Sequence, residues 1–144
     1  MNKEEQESLK LFVVFSRAYA AVHKEAEKDM KSYGLNPTEF AVLELIYHKG
    51  EQPIQKIGEK VLIASSSITY VVDKLEGKEY LVRKASKYDR RITLADITNK
   101  GREFMDEIFP KHRAFINGLM EPLSKDEKKQ MLTLLKKMGY HAEK

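Results

Sequence analysis

The chain has 144 residues, 42% hydrophobic and 33% charged: enough for one compact domain with helical extensions, and too apolar for a disordered chain. It contains no cysteine, which excludes disulfides, cysteine-ligated zinc, thiol nucleophiles and thiol redox switches. No apolar run approaches the roughly 20 residues that span a bilayer. The polar start, Met1 to Glu7, is no secretory leader, so no membrane partner and a cytoplasmic location are expected.

Ser8 to Tyr33 is predicted as a long helix, with Leu9, Phe12, Val13, Tyr19, Ala20, Ala26 and Met30 at helical spacing and Gly34 as its terminator. So long an amphipathic helix needs a large apolar partner. Asn36-Pro37-Thr38-Glu39 opens a second helix: Asn36 caps, Pro37 suits the first helical position, and Glu39 completes a capping box. It ends near Lys49-Gly50. A short third helix follows from about Pro53 to Val61, carrying Ile54, Ile57 and Val61, and Leu62-Ile63-Ala64 breaks it. Ser65-Ser66-Ser67 caps a fourth helix to about Lys78. Its apolar face is Ile68, Val71, Val72 and Leu75; its outward face is Ser65, Ser66, Thr69, Tyr70, Asp73 and Lys74.

Leu81–Ala85 and Ile92–Ile97 read as two strands joined by the charged turn Ser86 to Arg91. Thr98 caps a long helix in which Pro110 is expected to produce a kink or break near Glu107. Ser124-Lys125-Asp126-Glu127 is a second capping box and opens a last helix to about Met138. The fold class is therefore mainly α with a small β-hairpin.

The net charge of +4 says little by itself; its placement says more. Between Tyr80 and Leu94 stand Arg83, Lys84, Lys87, Arg90 and Arg91 against the single acid Asp89. That clustering fits a phosphate-facing loop, although a solvated hairpin tip would look the same in isolation. The short helix, the tight turn and a following helix with small polar residues at its start suggest a helix-turn-helix. A helix that enters a groove about 12 Å wide needs short hydrogen-bonding residues on its leading face. Ser65, Ser66, Ser67, Thr69 and Tyr70 meet that need, though a triple serine also serves simply as a helix cap. The hairpin shifts the balance. Directly after such a helix, a hairpin tipped by Asp89-Arg90-Arg91 is a wing, and an arginine there suits the narrow minor groove. Asp89, repelled by phosphate, is better employed holding an arginine in place.

Enzymatic motifs do not compete. His23, His48, His112 and His141 are scattered without metal-ligand spacing, and no nucleophile elbow, P-loop or dinucleotide fingerprint is present. No catalytic group, metal or cofactor is expected. A winged helix used for protein contact is the remaining rival, and the basic wing argues against it.

Along essentially its whole length the chain resembles the MarR (multiple antibiotic resistance regulator) family. The residues that carry the resemblance are Leu35 to Leu43, Ser66-Ser67-Ile68-Thr69, Val72-Asp73-Lys74-Leu75-Glu76, and Asp89-Arg90-Arg91 through Ile97-Thr98-Asn99-Lys100-Gly101. The similarity is strongest to the branch of repressors that respond to quinones and hydroquinones. The resemblance implies a homodimer: a winged helix-turn-helix over 36–97, and a helical dimerisation region from 1–35 and 98–144. It implies a palindromic operator in double-stranded DNA, with Ser65 to Tyr70 as the major-groove face. Arg91 then enters the minor groove and Asp89 holds it, and Lys74, Lys87 and Arg90 are further DNA-binding candidates. It further implies a phenolic or quinone effector in a crevice beside the dimer helices, for which Tyr19, His23, Phe40 and Phe104 are the candidates; the plainer alternative for each is a core or interface residue. Two positions depart from the family pattern. Tyr70 stands where many relatives carry arginine, and Glu79 where many carry glycine, a substitution that costs about 1 kcal/mol if the backbone there is left-handed.

Overall fold

The computed structural model describes residues 1–61 and 65–144, with the backbone alone at Ser65 and Ser66. The expected break at Leu62-Ile63-Ala64 lies outside the described residues. Helix α1 spans Lys3–Ser32, starting five residues before the expected Ser8, because Asn2 caps it by accepting the Glu5 amide at 2.7 Å. Glu4 and Glu5 favour that end through the helix dipole. Helix α2 spans Pro37–Lys49 and begins with the predicted box: the Glu39 amide donates to Asn36 at 2.8 Å and the Asn36 amide to Glu39 at 3.0 Å. Phe40, Val42, Leu43 and Ile46 of α2 are wholly buried.

Strand β1 (Gln52–Pro53) pairs with the returning strand of the wing, Gln52 opposite Ala95 and Pro53 opposite Leu94. Strand β1 has no signal in the sequence, since two residues carry no periodicity; Pro53, the expected helix start, lies instead on this edge strand, where proline is tolerated. Helix α3 is Ile54–Lys60 and helix α4 is Ser65–Gly77. The predicted inner face of α4 is buried: Ile68, Val71, Val72 and Leu75 are at most 6% exposed. Strands β2 (Leu81–Ala85) and β3 (Thr93–Ile97) are antiparallel, with Leu81 opposite Ile97 and Ala85 opposite Thr93. The sheet is therefore three-stranded in the order β1-β3-β2 rather than an isolated hairpin.

Helix α5 (Asn99–Leu119) is capped by Thr98, which accepts the Gly101 amide at 2.9 Å. It runs unbroken through Pro110, which corrects the expected break. Proline costs the helix one backbone hydrogen bond. Met105 and Ile108 before it, and His112 after it, are buried, so packing supports the helix on both sides of the proline. Helix α6 (Lys125–Ala142) starts with the Ser124–Glu127 box and continues four residues past the expected end. Its residues are all half-buried or exposed. The core thus lies between α2, α3, α4, the sheet and the first half of α5.

Two helix ends show the same device with different residues. After α1, Leu35 donates to the Met30 carbonyl and Gly34 to Lys31, with Gly34 at φ 84°. After α4, Tyr80 donates to the Leu75 carbonyl and Glu79 to Glu76, with Glu79 at φ 67°. Both are Schellman motifs, and the second asks a residue with a Cβ to sit in the left-handed region. Gly77, two residues earlier, does not relieve this. Glu79→Gly is therefore expected to stabilise the fold by about 0.5–1 kcal/mol, read as a higher denaturant midpoint at unchanged slope. The exposed Lys100–Glu79 pair at 3.0 Å that it removes contributes little.

Candidate nucleic-acid interface

Helix α4 and the wing both present polar side chains to solvent. Ser67, Thr69, Tyr70, Asp73 and Lys74 are exposed along α4, and Lys74 Nζ lies 5.3 Å from the centre of the Tyr70 ring. The side chains of Ser65 and Ser66 lie outside the described residues. Lys74 and Tyr70 together offer a cation over an aromatic face, a different chemistry from the arginine many relatives carry at the tyrosine position.

The wing tip is built by short side-chain caps. Ser86 Oγ accepts the amides of Tyr88 and Asp89 at 3.2 and 3.3 Å, and the Ile92 amide returns to the Asp89 carbonyl at 3.0 Å. This turn directs the Asp89 carboxylate at Arg91. It accepts the Arg91 backbone amide at 3.0 Å, Nε at 3.1 Å and Nη2 at 3.1 Å. Of the two adjacent arginines, Arg91 is the one held. Its side chain is 91% exposed while Asp89 is 34% exposed. The guanidinium and the amide of Arg91 hold the Asp89 carboxyl below the usual carboxylate range. Arg91 is thus presented to solvent on an oriented stem, the arrangement that lowers the entropy of inserting it into a groove. Lys87 and Arg90 are exposed beside it, and Tyr88 is 99% exposed at the apex. Lower on the wing, Lys84 bridges Glu51 at 2.6 Å and Asp96 at 3.1 Å; these two partners raise its pKa.

The MarR family profile matches residues 35–93, the stretch that holds α2 to the start of β3. Over 137 residues the chain is 55% identical to the HTH-type transcriptional regulator MhqR of Bacillus subtilis, covering 95% of this chain and 94% of that protein. The chain belongs to the MarR family. Like its MarR relatives it is a DNA-binding transcriptional regulator. Among solved structures it is similar to AbsC, a MarR family regulator from Streptomyces coelicolor, with a TM-score of 0.86 at 18% identity over 99% of this chain and 97% of that one. It is also similar to BpsR of Bordetella bronchiseptica, whose DNA binding is regulated by 6-hydroxynicotinic acid. There the TM-score is 0.79 at 21% identity over 90% of this chain and 98% of that one. The MarR fold is thus present end to end.

The four aromatic positions considered for an effector fall in three environments. Tyr19 stacks on His23 along α1, with centroids 5.3 Å apart, and Tyr19 is 62% exposed. Phe40 is fully buried, 4.3 Å from the ring of His112. Phe104 stacks on Tyr80 at 4.4 Å. Sequence reasoning passed over a polar cluster next to Phe40. His112 Nδ1 lies 2.8 Å from Asp29 Oδ2, both side chains being less than a tenth exposed, and the Tyr33 hydroxyl donates to the same carboxylate at 2.8 Å. Burial, then the bond to Asp29, pushes the Tyr33 hydroxyl up to about 12. These residues are 83 positions apart in the case of Asp29 and His112, so no local pattern announces them.

A second surface is apolar. Leu11, Val14 and Phe15 of α1 face Leu134, Leu135 and Met138 of α6 across an open cavity of about 790 Å³. Leu9, Phe12 and Val13 of α1 are also more than 40% exposed, on a side of the helix that does not line this cavity.

Proposed function

We propose that this regulator works in the cytoplasm as a homodimeric repressor of a palindromic operator, released by a small phenolic or quinone effector. In this reading 36–97 is the DNA-reading unit, and 1–35 with 98–144 are the dimerisation region. The carrying observation is the wing tip: an arginine 91% exposed, held by a carboxylate through three hydrogen bonds, beside an exposed hydroxyl-bearing helix face. That pairing suits adjacent grooves of one duplex, with Ser65, Ser66, Ser67, Thr69, Tyr70 and Lys74 towards the major groove and Arg91 towards the minor groove. Lys87 and Arg90 supply phosphate contacts.

A second copy of the chain is the occupant that suits the α1–α6 face. An exposed apolar surface of this extent is unusual on a monomer, and the two helices that bear it lie at the two ends of the chain. Two wings related by a twofold axis reach half-sites about one helical turn, roughly 34 Å, apart. The effector part is supported by the 6-hydroxynicotinic acid control of BpsR and by the similarity to MhqR, with Tyr19, His23, Phe40 and Phe104 as the candidate residues. An effector that binds one spacing of the recognition helices better than another shifts the population between them.

The test is a fluorescence anisotropy titration of a duplex taken from the protein's own promoter, with sedimentation of the free protein. The expected results are a dimer at micromolar concentration and one dimer per site. The affinity should fall by about a thousandfold or more between roughly 50 and 200 mM salt, as for six or more phosphate contacts. Added hydroquinone is expected to weaken binding about tenfold or more, within the usual range of allosteric coupling. A monomer, or an affinity indifferent to salt, overturns the reading of the interface; an affinity indifferent to hydroquinone removes the effector from it.

A further inference from the structure

Helix α4 carries two acids on the side proposed to meet DNA, Asp73 and Glu76, whose side chains are 58% and 40% exposed. Carboxylates are poor company for phosphates, and a recognition helix with two of them needs an explanation. Arg83, in the middle of β2, supplies one. Its Nη1 lies 2.5 Å from Glu76 Oε1 and its Nη2 2.6 Å from Asp73 Oδ1. Nη2 also donates to the Thr69 carbonyl at 3.4 Å, and the Arg83 backbone amide donates to Glu76 Oε2 at 3.2 Å. The Arg83 side chain is only 25% exposed, better shielded than either of its two carboxylate partners. A planar guanidinium matches such a two-carboxylate arrangement as a lysine does not.

Arg83 also lines a cleft of about 320 Å³ between α4 and the wing, together with Gln55 of α3, Thr69 of α4, and Arg91, Ile92 and Thr93 of the wing. If α4 occupies a major groove and Arg91 the adjacent minor groove, the sugar-phosphate strand dividing the two grooves has to cross between them. That is the position of this cleft.

We propose that the cleft is the seat of that one backbone strand, and that Arg83 is a positioning residue for it. Arg83 sets the spacing between recognition helix and wing, and it cancels carboxylate charge beside the phosphates without needing to touch DNA. The inference rests on the DNA reading above and deepens it, because it assigns the gap between the two groove-reading parts.

The experiment uses the full-length protein and two probes, the promoter duplex and a 30-base-pair duplex of unrelated sequence at about 50 mM salt, where non-specific phosphate contacts dominate. Arg83→Met keeps the stem and removes the charge. It is expected to weaken both duplexes about tenfold or more, since the lost masking acts on phosphates and not on bases. Adding Asp73→Asn and Glu76→Gln to Arg83→Met is expected to restore affinity to within about threefold of the parent, because the acids that needed masking are gone. A purely structural role for Arg83 would not be rescued by deleting its partners. Where Arg83→Met does not give a folded dimer by circular dichroism and sedimentation, Arg83→Gln, which retains a hydrogen-bond donor, carries the same comparison. The proposal is overturned if the charge-removing variant binds as the parent does, or if the triple variant binds no better than the single one. A parent protein that binds neither duplex overturns the DNA reading itself and this inference with it.

Discussion

Arg91→Ala is expected to abolish most duplex affinity while leaving the dimer and the thermal melt unchanged. The side chain is 91% exposed and its recorded partner is Asp89, two residues away, so its removal leaves the core intact. A groove-reading arginine contributes about 1–3 kcal/mol, and a dimer has two, so the expected loss is at least about 30-fold. The loss should be larger on the promoter duplex than on a duplex of unrelated sequence, since a minor-groove arginine senses groove width as well as phosphate. Asp89→Asn is the companion variant. It keeps the turn's shape and loses the charge-assisted hold, so Arg91 pays more entropy on binding, and the expected loss is smaller than for Arg91→Ala. The depressed Asp89 pKa places this hold above the acid range: it is present at and above ordinary carboxylate titration and is lost only as pH falls through the lowered value. Binding of the parent between mildly acid and neutral pH should therefore show no titration attributable to Asp89. An Arg91→Ala protein that binds the promoter within twofold of the parent would show that the wing does not read DNA.

Gly101→Ala should damage the fold itself. A Cβ on Gly101 would stand 2.3 Å from the Tyr80 carbonyl oxygen, 3.0 Å from the Tyr80 carbonyl carbon and 2.9 Å from Ile97 Cγ1. Two of these three atoms are backbone and have no rotamer to escape into. The Tyr80 carbonyl is committed as well, because it accepts the Thr98 amide at 3.0 Å while the Tyr80 amide closes the end of α4 on Leu75. Tyr80 further stacks on Phe104, so a shift at this point pulls on α4, β2, β3 and α5 together. In an ordinary helix the same change gains about 1 kcal/mol from propensity, so the sign of the measured effect separates the two explanations. The expected result is a loss of about 3 kcal/mol or more and a Tm lower by roughly 10 °C, followed by circular dichroism. A Tm equal to or above the parent's would mean that α5 can move away from the wing at no cost.

Many of the features these predictions use are written in short stretches of sequence. Asn36 with Glu39 and Ser124 with Glu127 specify their capping boxes within four residues, because donor and acceptor are joined by a single helical turn. Residues 81–85 announce β2 at its observed limits, and the i, i+3, i+4, i+7 spacing of Ile68, Val71, Val72 and Leu75 announces the buried face of α4. The wing motif is equally local, as Asp89 and Arg91 are two positions apart.

Other features depend on where the chain has travelled. Pro53 reads as a helix start until β3 arrives beside it to make β1. Pro110 reads as a breaker until tertiary burial of Met105, Ile108 and His112 outweighs one missing hydrogen bond. Asp29 and His112, Tyr47 and Asp106, and Lys78 and Glu39 form pairs whose members are tens of residues apart. The same holds for the effector candidates, which share aromaticity in the sequence and no common wall in the fold. Arg83 shows the boundary most clearly. Seven residues separate it from Glu76, but a helix end, the left-handed turn at Glu79 and a strand intervene, and only their combined path brings the guanidinium onto the recognition helix. The sequence alone determined caps, faces and the wing, because these interactions close within about one or two turns of chain. The tertiary structure decided the ion-pair network, the third strand and the continuity of α5, because their energies come from partners that meet only after the chain has folded back on itself.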